Sequence, residues 1–517
     1  MGKPRFLGGE RAAYRPDLLR FSIVRCDRAE TEINFATDKQ RDGCGMRAAP
    51  PKASQMFPAD HPFRIANFRA YWLSRFAGTV ALSAMSIIIG WQVYSLARDV
   101  HHLSIKEATF LLGMIGVAQF VPLFLLTPIV GLVADTFDRR WIVRFTTALL
   151  VATTVMLGTL TWLHALSLPM LFLAAVMIGL ARAFSGPAYS ALAPNLVPRE
   201  VLPTAIAVSS IAWQVGVIIG PSLGGFLYAI HPDAAYGTST ALFLIALGMI
   251  FLIGKVPQPQ AQADHRPLHR IVEGFRYVRN NRLVLAAITL DLFAVLLAGS
   301  TALLPVFARD ILHVGAQGLG LLAAGMGIGA TTTALFFSFR PMKSNVGIKM
   351  LIAVIVFGAG ILTFGLAHTI TDVLGITDLT VTLPKAVAKT LHLASSRVDV
   401  APAFWLSLIA LIVAGCADMV SVYVRSSLIQ LHTPDAMRGR VSAVSQLTIS
   451  ASNELGEAES GLLGSILGPV GAVVFGGVGA IVITLLWERL YPELRLAKSF
   501  DPPDILETAP EHGVIQP

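Results

Sequence analysis

The sequence predicts an all-α polytopic membrane protein with twelve transmembrane helices in two pseudo-symmetric bundles of six. Three observations support this class: the composition, a succession of long apolar segments and an internal repeat. Hydrophobic residues make up 54% of the 517 residues and charged residues only 14%, whereas soluble domains carry about 25% charged residues. The mean hydropathy of +0.65 is typical of a chain that lies largely in a membrane.

Twelve apolar segments reach the length of about 20 residues that a helix needs to cross the hydrocarbon core of a bilayer. We refer to them as spans 1 to 12. Spans 1 to 6 are expected at 69–96, 107–134, 141–163, 168–193, 201–228 and 239–255. Spans 7 to 12 are expected at 283–308, 315–339, 347–367, 403–431, 441–463 and 470–487.

An internal repeat relates the two halves of the chain. When the sequence is shifted by 236 residues, residues 179–198 align with residues 415–434, and the alignment continues into the next span. A weaker match is that of "LARD" at 96–99 with "FARD" at 307–310, each at the end of the first span of a half. Parallel repeats of this kind are typical of transporters that rock about a central site.

The spans and their connections predict five regions. These are a basic, disordered cytoplasmic extension (1–62), a first bundle (63–256), a linker with an amphipathic helix (257–282), a second bundle (283–489) and a cytoplasmic tail (490–517). Within the second bundle, 368–402 forms a long extracytoplasmic loop in which "LPKAVAKTLHLA" is expected to be a short surface helix. The extension contains no signal peptide, and translation starts at Met1 or at a later methionine such as Met56.

The basic residues lie on one side of the predicted membrane. Arginines cluster in the short connections that follow spans 2, 6, 8 and 10, while the connections after spans 3 and 5 contain no lysine or arginine. Because cytoplasmic loops retain Lys and Arg, both termini are expected in the cytoplasm. The same distribution accounts for the net charge of +8, so nucleic acid is not an expected partner.

Other classes of function lack their residue patterns. The sequence contains no Gly-rich loop ending in Lys-Ser or Lys-Thr, which disfavours ATP as the energy source. The histidines and the three cysteines, Cys26, Cys44 and Cys416, have no metal-ligand spacing, so we expect neither a metal nor a membrane-embedded enzyme.

Two stretches resemble the major facilitator superfamily. "GLVADTFDRR" at 131–140 is similar to the signature loop of that superfamily, although Thr136 and Asp138 depart from its commonest form. Residues 418–464 are similar to the branch that contains the enterobactin exporter, macrolide-efflux proteins, lysophospholipid transporters and transmembrane secretion effectors. The likeness covers about residues 63–489. It implies a monomeric secondary transporter of the bacterial inner membrane.

The signature loop contains a candidate conformational latch, formed by Gly131, Asp135, Arg139 and Arg140. Asp135 can accept hydrogen bonds from the amino end of a neighbouring helix, and the arginines can bind phosphate or carboxylate groups. Such contacts would stabilise one conformation and break in another. The alternative is that the loop is only a positively charged topological anchor.

Span 5 contains "WQVGVIIGPSLGG", which resembles motif C of superfamily antiporters. Gly216, Gly220 and Gly224 lie four residues apart and form a flat face for close helix packing, continued by Gly225. Pro221 frees one backbone carbonyl and bends the helix. The resemblance implies export, while ordinary packing of small residues explains the glycines equally well.

Span 11 contains three glutamates in "SNELGEAESGLLG" at 452–464. Glu454 and Glu457 share one helix face, roughly 20 to 25 Å along the span, whereas Glu459 points away from them. Neighbouring carboxyl groups that exchange a proton are what a proton-coupled carrier requires. A structural network that ties span 11 to its neighbours is the alternative.

A second group of candidates follows from the repeat. Arg182 in span 4 and Asp418 in span 10 occupy equivalent positions near the middle of the membrane, so we expect them to face each other across the substrate path. The alternative is a separate pairing within each half. Asp291 in span 7 is a third candidate for the cavity.

These observations predict a secondary transporter that exports a siderophore-like or drug-like amphipathic small molecule by alternating access. The proton gradient is the expected energy source, and the expected partners are the small-molecule substrate and membrane lipids. A lysophospholipid or lipid flippase of the same fold is the alternative within transport. A non-transporting sensor or scaffold is the alternative from another class.

Overall fold

The structure is a computed structural model that describes residues 61–198, 200–255, 267–376, 379–382 and 397–500. The predicted extension up to residue 60, the surface helix at 383–394 and the tail beyond residue 500 lie outside the described residues.

The first half consists of six long helices. Spans 1 to 6 are Ala66–Asp99, Ile105–Thr136, Arg139–Trp162, Leu168–Leu192, Leu202–Ile230 and Pro232–Leu252. Local sequence signals start several of them: the Ser104 hydroxyl accepts from the Glu107 backbone N–H while the Glu107 carboxylate accepts from the Ser104 N–H, a reciprocal cap on span 2. Asp138 caps span 3 in the same manner by accepting from the Arg140 N–H.

The second half repeats this arrangement after an amphipathic linker helix, Pro267–Asn280. Spans 7 to 12 are Arg282–Ile311, Gly315–Phe339, Val346–Val373, Pro402–Leu431, Asp435–Leu467 and Pro469–Leu490. A short helix, Pro492–Leu496, follows span 12. All twelve predicted spans are present as helices, and the observed helices extend several of the predicted boundaries.

Span 7 is interrupted. Its regular helix ends at Leu297, a 3₁₀ turn occupies Ser300–Leu303, and after one helical turn the chain widens into a π-helix at Phe307–Ile311. Breaks of this kind free backbone carbonyl groups and are common at functional positions of membrane helices.

Span 11 differs from the other spans in polarity. Among the described residues, eleven helices are long and apolar enough to cross a membrane, and span 11 is absent from that set although it is 33 residues long. It packs against spans 2, 7 and 12, so neighbouring helices cover much of its polar surface.

Each half has its own hydrophobic core. The core of the second half joins buried side chains of spans 7, 8, 9, 10 and 12, such as Leu290, Leu322 and Phe364. In the first half, a cluster around Tyr94 and Leu171 fills one end and a cluster around Phe68 and Tyr71 fills the other. Separate cores allow the halves to move as units.

The halves meet mainly at one end of the bundle, which we call the distal end. It is the end at which spans 1 and 7 finish and spans 2 and 8 begin. A Cβ atom at Gly113 of span 2 would lie 2.6 Å from the Gly461 Cα of span 11, and one at Gly320 of span 8 would lie 2.7 Å from the Pro221 carbonyl oxygen of span 5. Only glycine permits such approaches.

A small antiparallel ribbon supplements the helices. Strands β1 (Leu379–Thr382) and β2 (Arg397–Val400) pair between spans 9 and 10, with Leu379 opposite Val400. The sequence analysis did not predict these strands. Both are rich in β-branched residues, three of four in β1 and two of four in β2, a composition that favours strands.

Candidate transport site

An ion pair between spans 4 and 11 joins the two halves. Arg182 Nη1 of span 4 lies 2.5 Å from Glu454 Oε1 of span 11 and also donates to Gln119 Oε1 of span 2 at 3.2 Å. Spans 2 and 4 belong to the first half and span 11 to the second. The pair therefore joins the two halves of the structure.

The two partners of this pair differ in exposure. The Glu454 side chain is 3% exposed, whereas the Arg182 side chain is 39% exposed. The second carboxylate oxygen, Glu454 Oε2, is buried and accepts no hydrogen bond from any described residue. The site thus combines the buried Glu454 carboxyl group, one oxygen of which has no hydrogen-bond partner among the described residues, with the Arg182 guanidinium group, which a solute can reach.

Glycines bring these helices together. A Cβ atom at Gly116 of span 2 would lie 2.7 Å from the Glu454 carbonyl oxygen and 2.8 Å from Glu457 Cβ. On the other side, a Cβ atom at Gly179 of span 4 would lie 2.8 Å from Gln119 Cα. Because glycine has no side chain, spans 4, 2 and 11 pack almost backbone to backbone. This packing places Arg182 within reach of Glu454.

The other two glutamates of span 11 have no counter-ion among the described residues. Glu457 follows Glu454 by three residues on the same helix face, and it makes no ion pair with the described residues. One oxygen of Glu459 is buried and has no hydrogen-bond partner in the described part of the chain. A charged acid at the bilayer centre costs about 2.5 to 3.5 kcal/mol on insertion scales, so these groups favour a neutral form or a polar partner.

The break in span 7 lies against the glutamates. A Cβ atom at Gly456, between Glu454 and Glu457, would lie 2.9 Å from the Val295 carbonyl oxygen, close to the end of the regular helix. The irregular backbone of span 7 and the acids of span 11 therefore share one interface.

The structure does not pair Arg182 with Asp418 as the repeat predicted. Arg182 binds Glu454, while Asp418 is partly buried and forms no ion pair with the described residues. The two residues occupy equivalent positions in the sequence repeat. It did not predict that the glycine contacts of span 2 would bring span 11 closer to Arg182.

Asp291, the third candidate, belongs to a different pair. It binds Arg425 of span 10, and both side chains are almost fully enclosed, at 6% and 5% exposure. The structure thus places Asp291 between two spans of the second half instead of open to a cavity between the halves.

The described residues of the signature loop stabilise the first half. Arg139 donates to the Ala191 carbonyl oxygen at the end of span 4 at 2.9 Å, and Arg140 donates to the Ile253 carbonyl oxygen after span 6 at 3.2 Å. Arg140 also binds Asp138 at 2.6 Å. Donation from the Arg140 guanidinium holds the pKa of the Asp138 carboxyl below its usual value. These contacts stay within one half and form no latch between halves; the side chains of Gly131 and Asp135 lie outside the described set.

The glycine face of span 5 packs against span 1. Cβ atoms at Gly216, Gly220 and Gly224 would lie 2.8, 2.6 and 2.9 Å from atoms of Thr79, Ser83 and Ala84. Gly225, one residue further, faces Gly320 of span 8, where a Cβ atom would lie 2.9 Å from the Gly320 Cα. The motif therefore sets the spacing both within the first half and between the halves at the distal end.

Two features of the site were missed in the sequence. Gln119 lies in the apolar stretch "MIGVAQFVPLF", where a lone amide is itself a signal, and it binds Arg182. The charged residues of "LARD" and "FARD" were recognised only as a repeat, whereas the structure joins them in ion pairs. In the described residues, no group of three or more His, Cys, Asp or Glu is arranged to hold a metal ion.

Two six-helix halves, an ion pair between them and a broken helix beside it define a secondary transporter of the major facilitator superfamily. The chain belongs to the transmembrane secretion effector family, whose model matches residues 58–383. It is a transporter and not an enzyme.

Comparisons with individual proteins agree with this assignment. The chain is 26% identical over 449 residues to the enterobactin exporter EntS of Citrobacter koseri, covering 86% of this chain and 95% of that protein. It is 25% identical over 441 residues to EntS of Escherichia coli O81, covering 84% and 94%. The crystal structure of a D-xylose–proton symporter, 13% identical, superposes with a TM-score of 0.61 over 82% of this chain and 98% of that one, a likeness of fold alone.

Proposed function

We propose that this transporter exports a siderophore-like amphipathic small molecule in exchange for protons. The observation that carries the proposal is the Arg182–Glu454 pair, which joins the two halves at 2.5 Å in the middle of the membrane. An ion pair at this place can be broken by one proton, and breaking it removes a contact between the moving units.

Protonation of Glu454 is the coupling step in this mechanism. Glu454 Oε2 accepts no hydrogen bond from a described residue and can bind a proton. That proton neutralises the carboxylate and removes its electrostatic attraction to Arg182. While the ion pair holds Arg182 in place, its guanidinium is 39% exposed, so its remaining N–H groups can donate to an oxygen-rich, anionic group of a substrate. Because protonation of Glu454 releases Arg182 from this position, the proton and the substrate bind in alternation.

Glu457 and Glu459 extend the proton path in this proposal. Glu457 lies on the same face of span 11 as Glu454. Glu459 lies further along the span, and its buried oxygen has no hydrogen-bond partner among the described residues. Glu457 and Glu459 lie nearer to the closed distal end than Glu454 does. A proton that enters from that end would therefore meet these two acids first. No cofactor takes part in this scheme.

The proposed orientation follows from the basic loops. Arg139, Arg140 and Arg144 lie at the end opposite to the distal end, as does the linker helix with Arg276 and Arg279. Because cytoplasmic loops are basic, we assign this end and both termini to the cytoplasm and the distal end to the outside. The described conformation is then closed to the outside, in a monomer of the bacterial inner membrane.

The relatives support the substrate class. Both curated relatives named above are exporters of enterobactin, and each is matched over more than nine-tenths of its own length, at 95% and 94%. An exporter of a comparable compound needs an amphipathic path and a group that binds oxygen anions, and Arg182 supplies the latter.

Proteoliposomes with an acidic interior and an internal pH dye test this function. Catecholate siderophores, hydrophobic drugs and lysophospholipids are added outside, one class at a time. We expect siderophores to alkalinise the lumen, and we expect Glu454→Gln to abolish the signal at an unchanged protein level. The control is Glu493→Gln, which removes an exposed ion pair with Arg282 within the second half.

Two results would contradict the proposal. Siderophore transport with no proton movement, or full proton exchange by Glu454→Gln, would remove the coupling role. Movement of lysophospholipid alone would replace siderophore export by lipid translocation.

A further inference from the structure

Arg75 of span 1 forms no ion pair with the described residues. It is partly exposed and lies in the part of span 1 that is nearer to the end assigned to the cytoplasm. Arg182 and Arg425, in contrast, each bind a carboxylate. Charged residues inside spans are costly unless they gain a counter-ion, and they commonly mark the path of a substrate. The proposed coupling step makes no use of Arg75.

A hydroxyl group inside the first half fixes the Arg75 side chain. Arg75 Nη1 donates to Tyr71 Oη at 2.9 Å. Tyr71 is 0% exposed and donates its hydroxyl hydrogen to the Tyr189 carbonyl oxygen of span 4 at 3.2 Å. Ser209 of span 5 therefore donates to Tyr71 Oη, also at 3.2 Å. Because this hydroxyl is buried among three spans, Arg75 is held toward the interior of the first half instead of extending to the lipid phosphates.

The groups that hold Arg75 are neutral and satisfied by one another. The Tyr71 hydroxyl uses its one hydrogen and both lone pairs in the three bonds just described. The Tyr189 hydroxyl donates to Ser74 Oγ at 2.9 Å, since Ser74 itself donates to the Ala246 carbonyl oxygen of span 6 at 2.9 Å. The other N–H groups of the Arg75 guanidinium have no hydrogen-bond partner among the described residues and are available to a ligand.

Arg75 and Arg182 lie along one wall of the first half. Tyr189, which binds Tyr71, follows Arg182 by seven residues, so both lie on the same face of span 4, about 10 Å apart along its axis. The contact with Tyr71 therefore places Arg75 on the cytoplasmic side of Arg182. Because the halves meet mainly at the distal end, this part of the wall lies away from their contact.

We propose that Arg75, positioned by Tyr71, is a binding subsite for an oxyanionic group of the substrate. A guanidinium group with several free N–H donors matches the paired oxygens of a catecholate or a phosphate. A substrate that enters from the cytoplasm meets Arg75 before Arg182, and no described acid competes for Arg75. This inference rests on the proposed function for the direction of entry, and it adds a second place at which the substrate is recognised.

Equilibrium binding tests the subsite. Full-length protein in lipid nanodiscs is titrated in a calorimeter with a catecholate siderophore and, separately, with lysophosphatidate, and titrations of empty nanodiscs are subtracted. The two compounds carry oxyanions on different molecules. We expect Arg75→Gln to weaken binding of the compound that the protein recognises by about tenfold. Arg75→Lys keeps the charge but not the planar fork and is expected to recover part of the affinity.

Tyr71→Phe gives an independent test of the same subsite. It removes the hydroxyl that positions Arg75 and leaves every charge in place, so we expect a smaller loss of affinity than in Arg75→Gln. A thermal unfolding transition shows for each variant that the protein is folded.

Arg69→Gln is the matched control. Arg69 lies six residues earlier in the same span, is exposed and donates to the Phe63 carbonyl oxygen at 3.3 Å. This substitution removes the same charge at the same end of span 1, on a different face of the helix. It is expected to leave the affinity unchanged.

The subsite is overturned if Arg75→Gln binds the recognised compound as tightly as the starting protein does. Equal losses in Arg75→Gln and Arg69→Gln, or no binding of either compound, overturn it as well. The proposed function fails in a different way: binding of lysophosphatidate alone, weakened by Arg75→Gln, keeps the subsite and removes siderophore export. No proton movement is measured, so the result does not depend on coupling at Glu454.

Discussion

Among the described residues, two arginine–carboxylate pairs lie well inside the spans, and they differ in location and exposure. The Arg425–Asp291 pair lies within the second half, with side chains that are 5% and 6% exposed. The Arg182–Glu454 pair crosses between the halves, and its arginine is 39% exposed. The comparison teaches that location determines the role of such a pair: one between helices that move together is structural, and one between helices that separate can act as a switch.

The largest effect is expected from breaking the enclosed pair. Asp291→Asn leaves the Arg425 charge buried without a partner, which costs about 3 to 5 kcal/mol in other proteins. We expect a marked loss of thermal stability of the protein in detergent. Asp291→Leu combined with Arg425→Met should recover most of it, and a single variant as stable as the starting protein would show that the pair is dispensable.

The crossing pair should behave in the opposite way. Glu454→Gln keeps the size of the side chain and removes the charge, and the neutral amide still accepts a hydrogen bond from Arg182. We expect the thermal unfolding temperature to change little while proton-coupled transport falls by about tenfold or more, the equivalent of ~1.4 kcal/mol. Equal losses of stability from Glu454→Gln and Asp291→Asn would abolish the distinction between the two pairs.

The glycine contacts that support the crossing pair give a smaller effect. Gly116→Val would push span 2 away from span 11, because even a Cβ atom there lies 2.7 Å from the Glu454 carbonyl oxygen. Overpacking of this kind costs about 1 to 3 kcal/mol. Gly237→Ala is the control, since a Cβ atom at Gly237 has no neighbour within 4 Å. Thermal unfolding of both variants and cross-linking between spans 2 and 11 measure the difference.

The smallest effect is expected at the partly buried pair of the signature loop, in which the Asp138 side chain is 27% exposed and the Arg140 side chain 9%. Arg140 lowers the pKa of Asp138 in the folded protein, so the stabilisation is complete above the usual carboxyl value of about 3.9 and is lost as the pH falls through the lowered value. Asp138→Asn keeps the helix cap and removes the charge. We expect a loss of about 0.2 to 1 kcal/mol at pH 7 that is smaller at pH 3, measured by thermal unfolding. The same loss at both pH values would contradict the role of the charge.

The sequence predicted the fold more completely than the site. The twelve spans follow from hydropathy and length, because each crosses the same apolar layer independently of its neighbours. Glu454 and Arg182 were identified individually, since a charge in an apolar helix is visible locally. Their mutual contact was not predicted, because it depends on how closely Gly116 and Gly179 allow three helices to approach. The β1–β2 ribbon and the π-helix of span 7 were also missed, since both depend on local packing that a hydropathy pattern does not show.

The polarity of span 11 has a consequence for how the protein is made. A helix that carries Glu454, Glu457 and Glu459 partitions poorly from the translocon into lipid by itself, because each charged residue near its centre costs about 2.5 to 3.5 kcal/mol. Its natural counter-ion, Arg182, lies in a span that is synthesised much earlier. Insertion of span 11 is therefore more favourable once the first half has entered the membrane, so the contact to which we assign proton coupling would also assist assembly of the protein.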